Sequence, residues 1–281
     1  NDTPGVMLSS AAKEYMKVYG VLVGKKPLIF TNNDSGYETA IEFKKNGVNP
    51  LILDTRKEPS SDIITEAKNL GIDIKFSYVV VAAKGYKKVK SADIAKISEN
   101  KKDLSNIENI ECDCICVSGF WTPSIHLASQ SGNKSEFNEK IDAFIPKKSK
   151  QKENTIGSAN GKFTLEETIN EAFDKGYEVS NKITENNNKV SIPTVVEKKS
   201  TEHDKFWCVP LPKGKSYKRF LDFQNDVAVT DIELALREGF RSIEHVKRYT
   251  TLGMATDQGK TSNLNGLQLV SDIENKVVPQ V

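Results

Sequence analysis

Three features of the sequence predict an α/β fold. Short apolar runs closed by polar turns alternate with stretches whose apolar residues recur every three or four positions, the signatures of strand and helix. Residues 27 to 54 read strand, turn, helix, strand and then an acid, the skeleton of a Rossmann-like dinucleotide site. The composition is that of a core-forming chain: 281 residues, 37% hydrophobic and 28% charged, with 12 Phe, 8 Tyr and 2 Trp, which excludes wholesale disorder. That length leaves room for one large domain or two ordinary ones.

The elements follow in order. Residues 8 to 19 are predicted helical because Leu8, Ala11, Ala12, Tyr15, Met16 and Tyr19 fall on one face, and Gly20 can end the helix. Residues 27 to 30 form a short buried strand, and residues 31 to 36 a polar turn. Residues 37 to 46 form a helix with Ala40, Ile41 and Phe43 inward and Gly47 at its end. A second strand covers 51 to 53 and ends in Asp54. A helix over 62 to 70 and strands over 72 to 76 and 78 to 82 come next. The Lys- and Ser-rich stretch from 85 to 108 reads as a surface hairpin or loop, and residues 110 to 117 as one strand. Residues 146 to 160 are polar and Lys-rich, a linker or exposed turn. Thr164 and Glu167 make a capping box for a helix that runs to Lys175 and stops at Gly176. The Asn-, Lys- and Glu-rich residues 180 to 204 read as a mobile loop. Residues 231 to 238 form a helix closed by Gly239, and Ser242 caps another. No internal repeat is present. The pattern divides the chain into a Rossmann-like region at 1–150, a connecting region at 151–218 and a helical hairpin module at 219–281.

Several function classes are excluded at once. Lys and Arg number 40 against 38 Asp and Glu, a net charge of +2, so no global field draws the chain to nucleic acid or a membrane surface. Four cysteines in so long a chain make no disulfide scaffold. No apolar run reaches the ~18 to 20 residues of a membrane span. The opening residues have neither the basic start nor the apolar stretch of a signal peptide, which points to a cytoplasmic protein. The first residue is Asn rather than Met, so the expectation is a processed chain or a piece of something longer.

The first candidate site is the turn after the first strand of the dinucleotide-like unit. Laid over G-x-G-x-x-G, the glycine positions hold Thr31, Asn33 and Gly36. Gly36 keeps the small residue that lets helix pack on strand, while Thr31 and Asn33 carry Cβ atoms where the backbone must approach a pyrophosphate. Asn33, Asp34, Ser35 and Gly36 at the helix N-terminus are candidate phosphate contacts. Asp54, about 20 residues further on, is the candidate ribose carboxylate. The other reading is a fold retained after the ligand was lost.

Cys112, Cys114 and Cys116 alternate on the predicted strand and so face one side. Neighbours on one face of a strand lie about 7 Å apart, too far for one ion with metal–sulfur bonds near ~2.3 Å, and they read as small core residues, as does Cys208. His126, His203 and His245 are scattered without catalytic partners, and the short Lys runs read as solvated. No catalytic acid, base or nucleophile and no metal site is assigned.

Residues 219 to 263 are too polar for a core and too patterned for a loop. Asp222, Gln224, Asn225 and Asp226 form one polar cluster, and Lys247, Arg248, Tyr249, Asp257, Gln258 and Lys260 another, on either side of a helical hairpin. Here the sequence strongly resembles the alpha chain of heterotetrameric sarcosine oxidase. The motifs are NDTPGVMLSSA at the start, IFTNNDSGYETA at the first strand–turn–helix, VSGFWTPSIHLASQSG after the cysteine strand, and DFQND with REGFRSIEHVKRYTTLGMATDQGKTSN. They occur in the family's order and cover essentially the whole chain.

The resemblance implies a flavoprotein assembly that oxidatively demethylates sarcosine with oxygen, giving glycine, hydrogen peroxide and a one-carbon unit that tetrahydrofolate can take. It implies beta, gamma and delta partner chains, with FAD and FMN on the beta chain and NAD held in an N-terminal part of the alpha chain. It implies a fold of the pyridine nucleotide-disulfide oxidoreductase type, and it makes this chain the middle of an alpha chain, ahead of an aminomethyltransferase-like domain. The block from 219 also resembles a small [2Fe–2S]-binding module, with Asp222, Gln224, Asp257 and Ser262 where that module has cysteines; such clusters need thiolates, so the resemblance implies a cluster-less scaffold. Lys247, Arg248, Gln258, Gly259 and Lys260 are then candidates for contact with flavin phosphate or a partner chain. The alternatives are a subunit of an opine or amino-acid dehydrogenase, and an interaction scaffold with relic nucleotide folds.

Overall fold

The structure is a computed structural model that describes residues 2–119, 121–184, 191–195 and 203–280. In chain order the elements are β1 (Val6–Leu8), α1 (Ser9–Tyr19), β2 (Pro27–Thr31), α2 (Ser35–Lys45), β3 (Leu51–Asp54), α3 (Asp62–Asn69), β4 (Asp73–Phe76), β5 (Tyr78–Gly85), β6 (Val89–Lys96), β7 (Glu108–Glu111), β8 (Cys114–Ser118), α4 (His126–Gln130), β9 (Ser135–Asn138), β10 (Ala143–Pro146), α5 (Leu165–Thr184), β11 (Phe220–Asp222), β12 (Val227–Ala228), α6 (Val229–Arg237), α7 (Ile243–Thr250) and α8 (Asn263–Glu274). They form two compact units, one of Asn1–Phe120 with Lys199–Val281 and the other of Trp121–Lys198.

The first unit is built on a parallel sheet in the order β1-β8-β2-β3-β4. Parallel sheets bury both faces, and β2 shows how the sequence does this. Ile29 points to a core shared with Ala12, Met16, Tyr37, Ala40, Phe43, Ile64 and Ala67 from the helices. Leu28 points the other way, with Leu53 and Ile115, onto Val89, Ala92 and Ile94. That second face is covered by an antiparallel sheet, β5-β6-β7, rather than by helices. The registers Thr31↔Asp54 and Thr31↔Ser118 bring the carboxyl ends of β2, β3 and β8 level. Ligands of open α/β sheets bind outside such ends, where strand order reverses.

The same unit contains the β11–β12 hairpin and helices α6, α7 and α8. They close over Leu221, Val227, Ile232, Ala235, Val246, Leu252 and Val270. In the second unit, β9 and β10 pair with Phe137 against Phe144, ring centroids 5.3 Å apart. Helix α5 buries none of its side chains.

Four local expectations are corrected. Residues 6–8 are a strand, and the helix starts at Ser9; three residues are too few to show a strand period, and β1 exists because it pairs with β8. The stretch 85–108 contains a buried strand, with Val89, Ala92, Ile94 and Ala95 fully enclosed, because these apolar residues sit among its lysines and serines and the strand is central, between β5 and β7. Residues 110–117 are two strands in two sheets. The break lies at Asp113, whose carboxylate accepts the N–H groups of Lys25 and Lys26, each at 2.8 Å, and turns the chain into the parallel sheet. Cys112 therefore packs in one core and Cys114 and Cys116 in the other. Of the expected Thr164–Glu167 box the Thr164 cap is present, Glu167 N donating to Thr164 Oγ1 at 3.2 Å, while the Glu167 carboxylate accepts from the Thr164 hydroxyl at 3.0 Å. However, α5 runs through Gly176 to Thr184, since an isolated glycine costs a helix only ~1 kcal/mol. The loop expected over 180–204 is thus helical at its start. Its residues 185–190 and 196–202 lie outside the described residues, as does Phe120 of the VSGFWTPS motif.

Gly36 tests the packing of α2 on β2. A Cβ there would lie 2.6 Å from Thr31 Cβ, and a β-branched strand residue cannot swing away. Gly36→Ala is expected to lower stability by roughly 1 to 3 kcal/mol, read by urea unfolding, whereas Gly176→Ala on exposed α5 is expected to raise it slightly.

Candidate functional site

The turn from β2 into α2 is closed by its own side chains. Thr31 Oγ1 donates to Asn33 O at 2.8 Å and accepts from Asn33 N at 3.2 Å. Asn33 Oδ1 accepts the Ser35 N–H at 2.8 Å, so a side chain takes an amide of the helix N-terminus that a phosphate would otherwise use. Asn33 Nδ2 donates to Asn32 Oδ1 at 2.9 Å and also to Gly119 O. Asn32 and Asn33 are both buried.

Asp54 ends β3 with its carboxylate fully enclosed. Oδ2 accepts from Tyr37 Oη at 2.7 Å and from Arg56 Nη2 at 2.8 Å. Oδ1 accepts from Arg56 N at 2.9 Å and Arg56 Nε at 3.0 Å. Arg56 Nη1 reaches across to Asp34 Oδ1 at 2.8 Å. Burial, and then the Asp54 carboxylate, hold the Tyr37 hydroxyl well above the ordinary phenol range. Burial alone would lower the Arg56 pKa, but its bonds to Asp54 and Asp34 outweigh this and raise it.

Asp34 and Asp54 are thus brought together around Arg56, and Asn33 and Ser35 bond to each other within the turn. Gly36 faces Thr31. A dinucleotide needs room at the turn and an outward carboxylate; here Thr31 and Asn33 fill the first and Arg56 turns the second inward, so these residues do not fit the group. Sequence reasoning missed Arg56. The available signal was that it is the only arginine in the first 218 residues, among many lysines, and arginine is the cation suited to a buried, forked pair with a carboxylate.

The cysteines form no ligand set, and among the described residues no group of three or more His, Cys, Asp or Glu is placed to hold a metal. Cys114 and Cys116 lie 3.6 Å apart at sulfur, closer than an ideal strand allows. The hydrogen bond to Cys114 and then burial keep the Cys116 thiol well above its ordinary pKa. Burial, chiefly, pushes Cys112 up to about 11.

In the helical module, Asp222 is the organising group. Its Oδ1 accepts Gln224 N at 2.9 Å and Asn225 N at 3.0 Å, and its Oδ2 accepts Gly253 N at 2.8 Å. Gln224 Oε1 accepts from Thr256 Oγ1 at 2.8 Å and Asp257 N at 3.3 Å. Asp257 in turn accepts from Gly259 N and Thr261 Oγ1, both at 3.2 Å. Three of the four positions singled out in the sequence, 222, 224 and 257, are joined by these bonds; the hydroxyl of Ser262 is buried without a partner. Lys247 and Arg248 lie in the last turn of α7, with Arg248 paired to Glu244 at 3.7 Å on an exposed face. Gln258 has a left-handed backbone (φ +51°) and Gly259 follows at φ +74°. A Cβ on Gly259 would strike the Asn263 amide. Lys260, Gln258, Tyr249 and Met254 are exposed.

The parallel sheet, with helices on one face and an antiparallel sheet on the other, defines the class of fold: a Rossmann-like α/β fold. The L-proline dehydrogenase of P. horikoshii shares this fold over 100% of the present chain and 51% of its own, with a TM-score of 0.59 at 20% identity. Residues 216–281 match the sarcosine oxidase A3 domain. Sarcosine oxidase subunit alpha of Rhizobium meliloti (strain 1021) is 33% identical over 273 residues, 96% of this chain and 26% of that protein. The same subunit of Corynebacterium sp. (strain P-1) is 27% identical over 97% of this chain and 28% of its own length. Over nearly its whole length the chain is similar to part of the alpha subunit of sarcosine oxidase, and it spans about a quarter of the length of these relatives. No helix among the described residues is long and apolar enough to cross a membrane.

Two outcomes follow. Asp222→Ala strands three backbone N–H groups and is expected to cost on the order of 3 kcal/mol in urea unfolding, with Asp222→Asn intermediate. For Cys112, the folded-state pKa lies above the unfolded one, so its contribution is complete below about pH 9 and is lost as pH rises toward about 11. Over that window the wild type is expected to lose about 1.4 kcal/mol per pH unit more than Cys112→Ala.

Proposed function

We propose that this chain is a non-catalytic part of the alpha subunit of a flavoprotein sarcosine oxidase, which converts sarcosine, oxygen and water to glycine, hydrogen peroxide and formaldehyde. With tetrahydrofolate as acceptor, the one-carbon unit leaves as methylenetetrahydrofolate. The observation that carries the reading is the similarity along 96% of the chain to a sarcosine oxidase alpha subunit, joined to the A3 domain match at 216–281. In this reading FAD and FMN sit on a beta chain, gamma and delta chains complete the assembly, and NAD and tetrahydrofolate are held by other parts of the alpha subunit. The residues described above then serve as scaffold and subunit contact.

Within the helical module, Lys247, Arg248, Gln258, Gly259 and Lys260 are the proposed contacts to flavin phosphate or to a partner chain. Their support is chemical. Arg248 and Lys260 are exposed cations, suited to phosphate or carboxylate, and the turn holding Gln258 is fixed by the Asp222–Gln224–Asp257 bonds. Exposed Tyr249 and Met254 add apolar area.

Co-expression of the full-length subunit with its neighbouring genes tests the proposal. A flavin-containing complex with sarcosine-dependent peroxide release is expected; absence of both overturns the reading. The double charge reversal Arg248→Glu, Lys260→Glu is expected to weaken co-purification about tenfold while leaving the unfolding midpoint of the chain unchanged.

A further inference from the structure

The crevice outside β2 and β3 is capped by a segment distant in sequence. Asp204 N donates to Asn32 O at 2.9 Å, and Asn32 Nδ2 donates back to Asp204 O at 2.9 Å. The Asp204 carboxylate accepts from Thr55 Oγ1 at 3.0 Å through Oδ2, and Lys101 pairs with Oδ1. Lys101 Nζ also donates to Lys205 O at 3.1 Å. Asn32 and Thr55 are buried, and they follow β2 and β3 directly. The next residues are anchored as well: Phe206 and Val209 pack on the buried cluster of Val79, Val81, Ala95 and Ile97, as Phe30 of β2 does.

We infer that residues 203–206 are an intramolecular strap occupying the dinucleotide crevice of this fold, with Asp204 as its own-chain ligand. Each bond it makes has a counterpart in what a nucleotide would need there. Its carboxylate is an anion held by a hydroxyl and a lysine, as a phosphate would be. Its backbone pairs with the turn residue whose neighbours would cradle a pyrophosphate. A nucleotide and the strap cannot share Asn32 and Thr55, so a nucleotide enters only by displacing residues 203–206. The inference rests on the crevice geometry alone and holds whether or not the chain assembles into a sarcosine oxidase.

Hydrogen–deuterium exchange of the full chain, read in peptides covering 28–36, 51–56 and 203–210, tests this locally. It is blind to nucleotide bound elsewhere and to subunit assembly. Asp204→Ala is expected to speed exchange in both the turn and the strap by at least about tenfold. The milder Thr55→Val, which removes one bond and keeps the fold, is expected to do so in the strap by a smaller factor. ADP-ribose at roughly 1 mM, the weak end of binding affinities, is expected either to change nothing or to protect 28–36 while exposing 203–210. Protection of 28–36 with 203–210 unchanged would show room for both and overturn the inference. Unchanged exchange in both variants would overturn it too, since the strap would not be held by Asp204.

Discussion

The buried Asp54–Arg56 pair is the constraint on which the rest of the first unit depends. An enclosed carboxylate is tolerable only with its lone pairs filled, and here a forked guanidinium, a backbone N–H and the Tyr37 hydroxyl fill them. The same guanidinium reaches Asp34 at the start of α2. One cation thereby fixes the end of β3, the start of α2 and the interior of α2. The pair is not evidence of great stability, since two buried charges pay a heavy desolvation cost. What it supplies is direction, because a carboxylate committed to Arg56 cannot also face a ligand.

The helical module repeats this logic without a cation. Asp222 gathers three N–H groups from two turns, and Gln224 and Asp257 extend the network. Left-handed backbone at Gln258 lies between Asp257 and Gly259, the two residues joined by the last of these bonds, which hold it in place. Polar residues that looked like a ligand set in the sequence are cross-links between turns. The surface they stiffen is where exposed Arg248, Tyr249 and Met254 lie.

How much of this could be read beforehand depended on the range of each interaction. The β2–α2–β3 unit was legible because Ile29, Ala40, Phe43 and Ile52 carry local periodicity, and the Thr164 cap because capping is a three-residue signal. β1 was not, since a three-residue strand exists only through its partner β8. The single strand expected over 110–117 fails at Asp113, whose role is set by Lys25 and Lys26, far earlier in the chain. The candidate turn residues were found in place, but what encloses them was not. Arg56 gave only a compositional hint, and Asp204 meets Asn32 across 172 residues, a contact no local pattern records. The resemblance to sarcosine oxidase alpha chains was legible because its motifs span the whole chain.

The central claim, that Asp54 is committed to Arg56 rather than to a ligand, is tested most directly by a double-mutant cycle. Unfolding free energies are measured for wild type, Asp54→Asn, Arg56→Met and the double variant. A favourable coupling of roughly 2 to 3 kcal/mol is predicted, because each single change leaves the other group buried and unmatched. Additivity to within about 0.5 kcal/mol would contradict it and would return Asp54 to the role of an outward-facing acid.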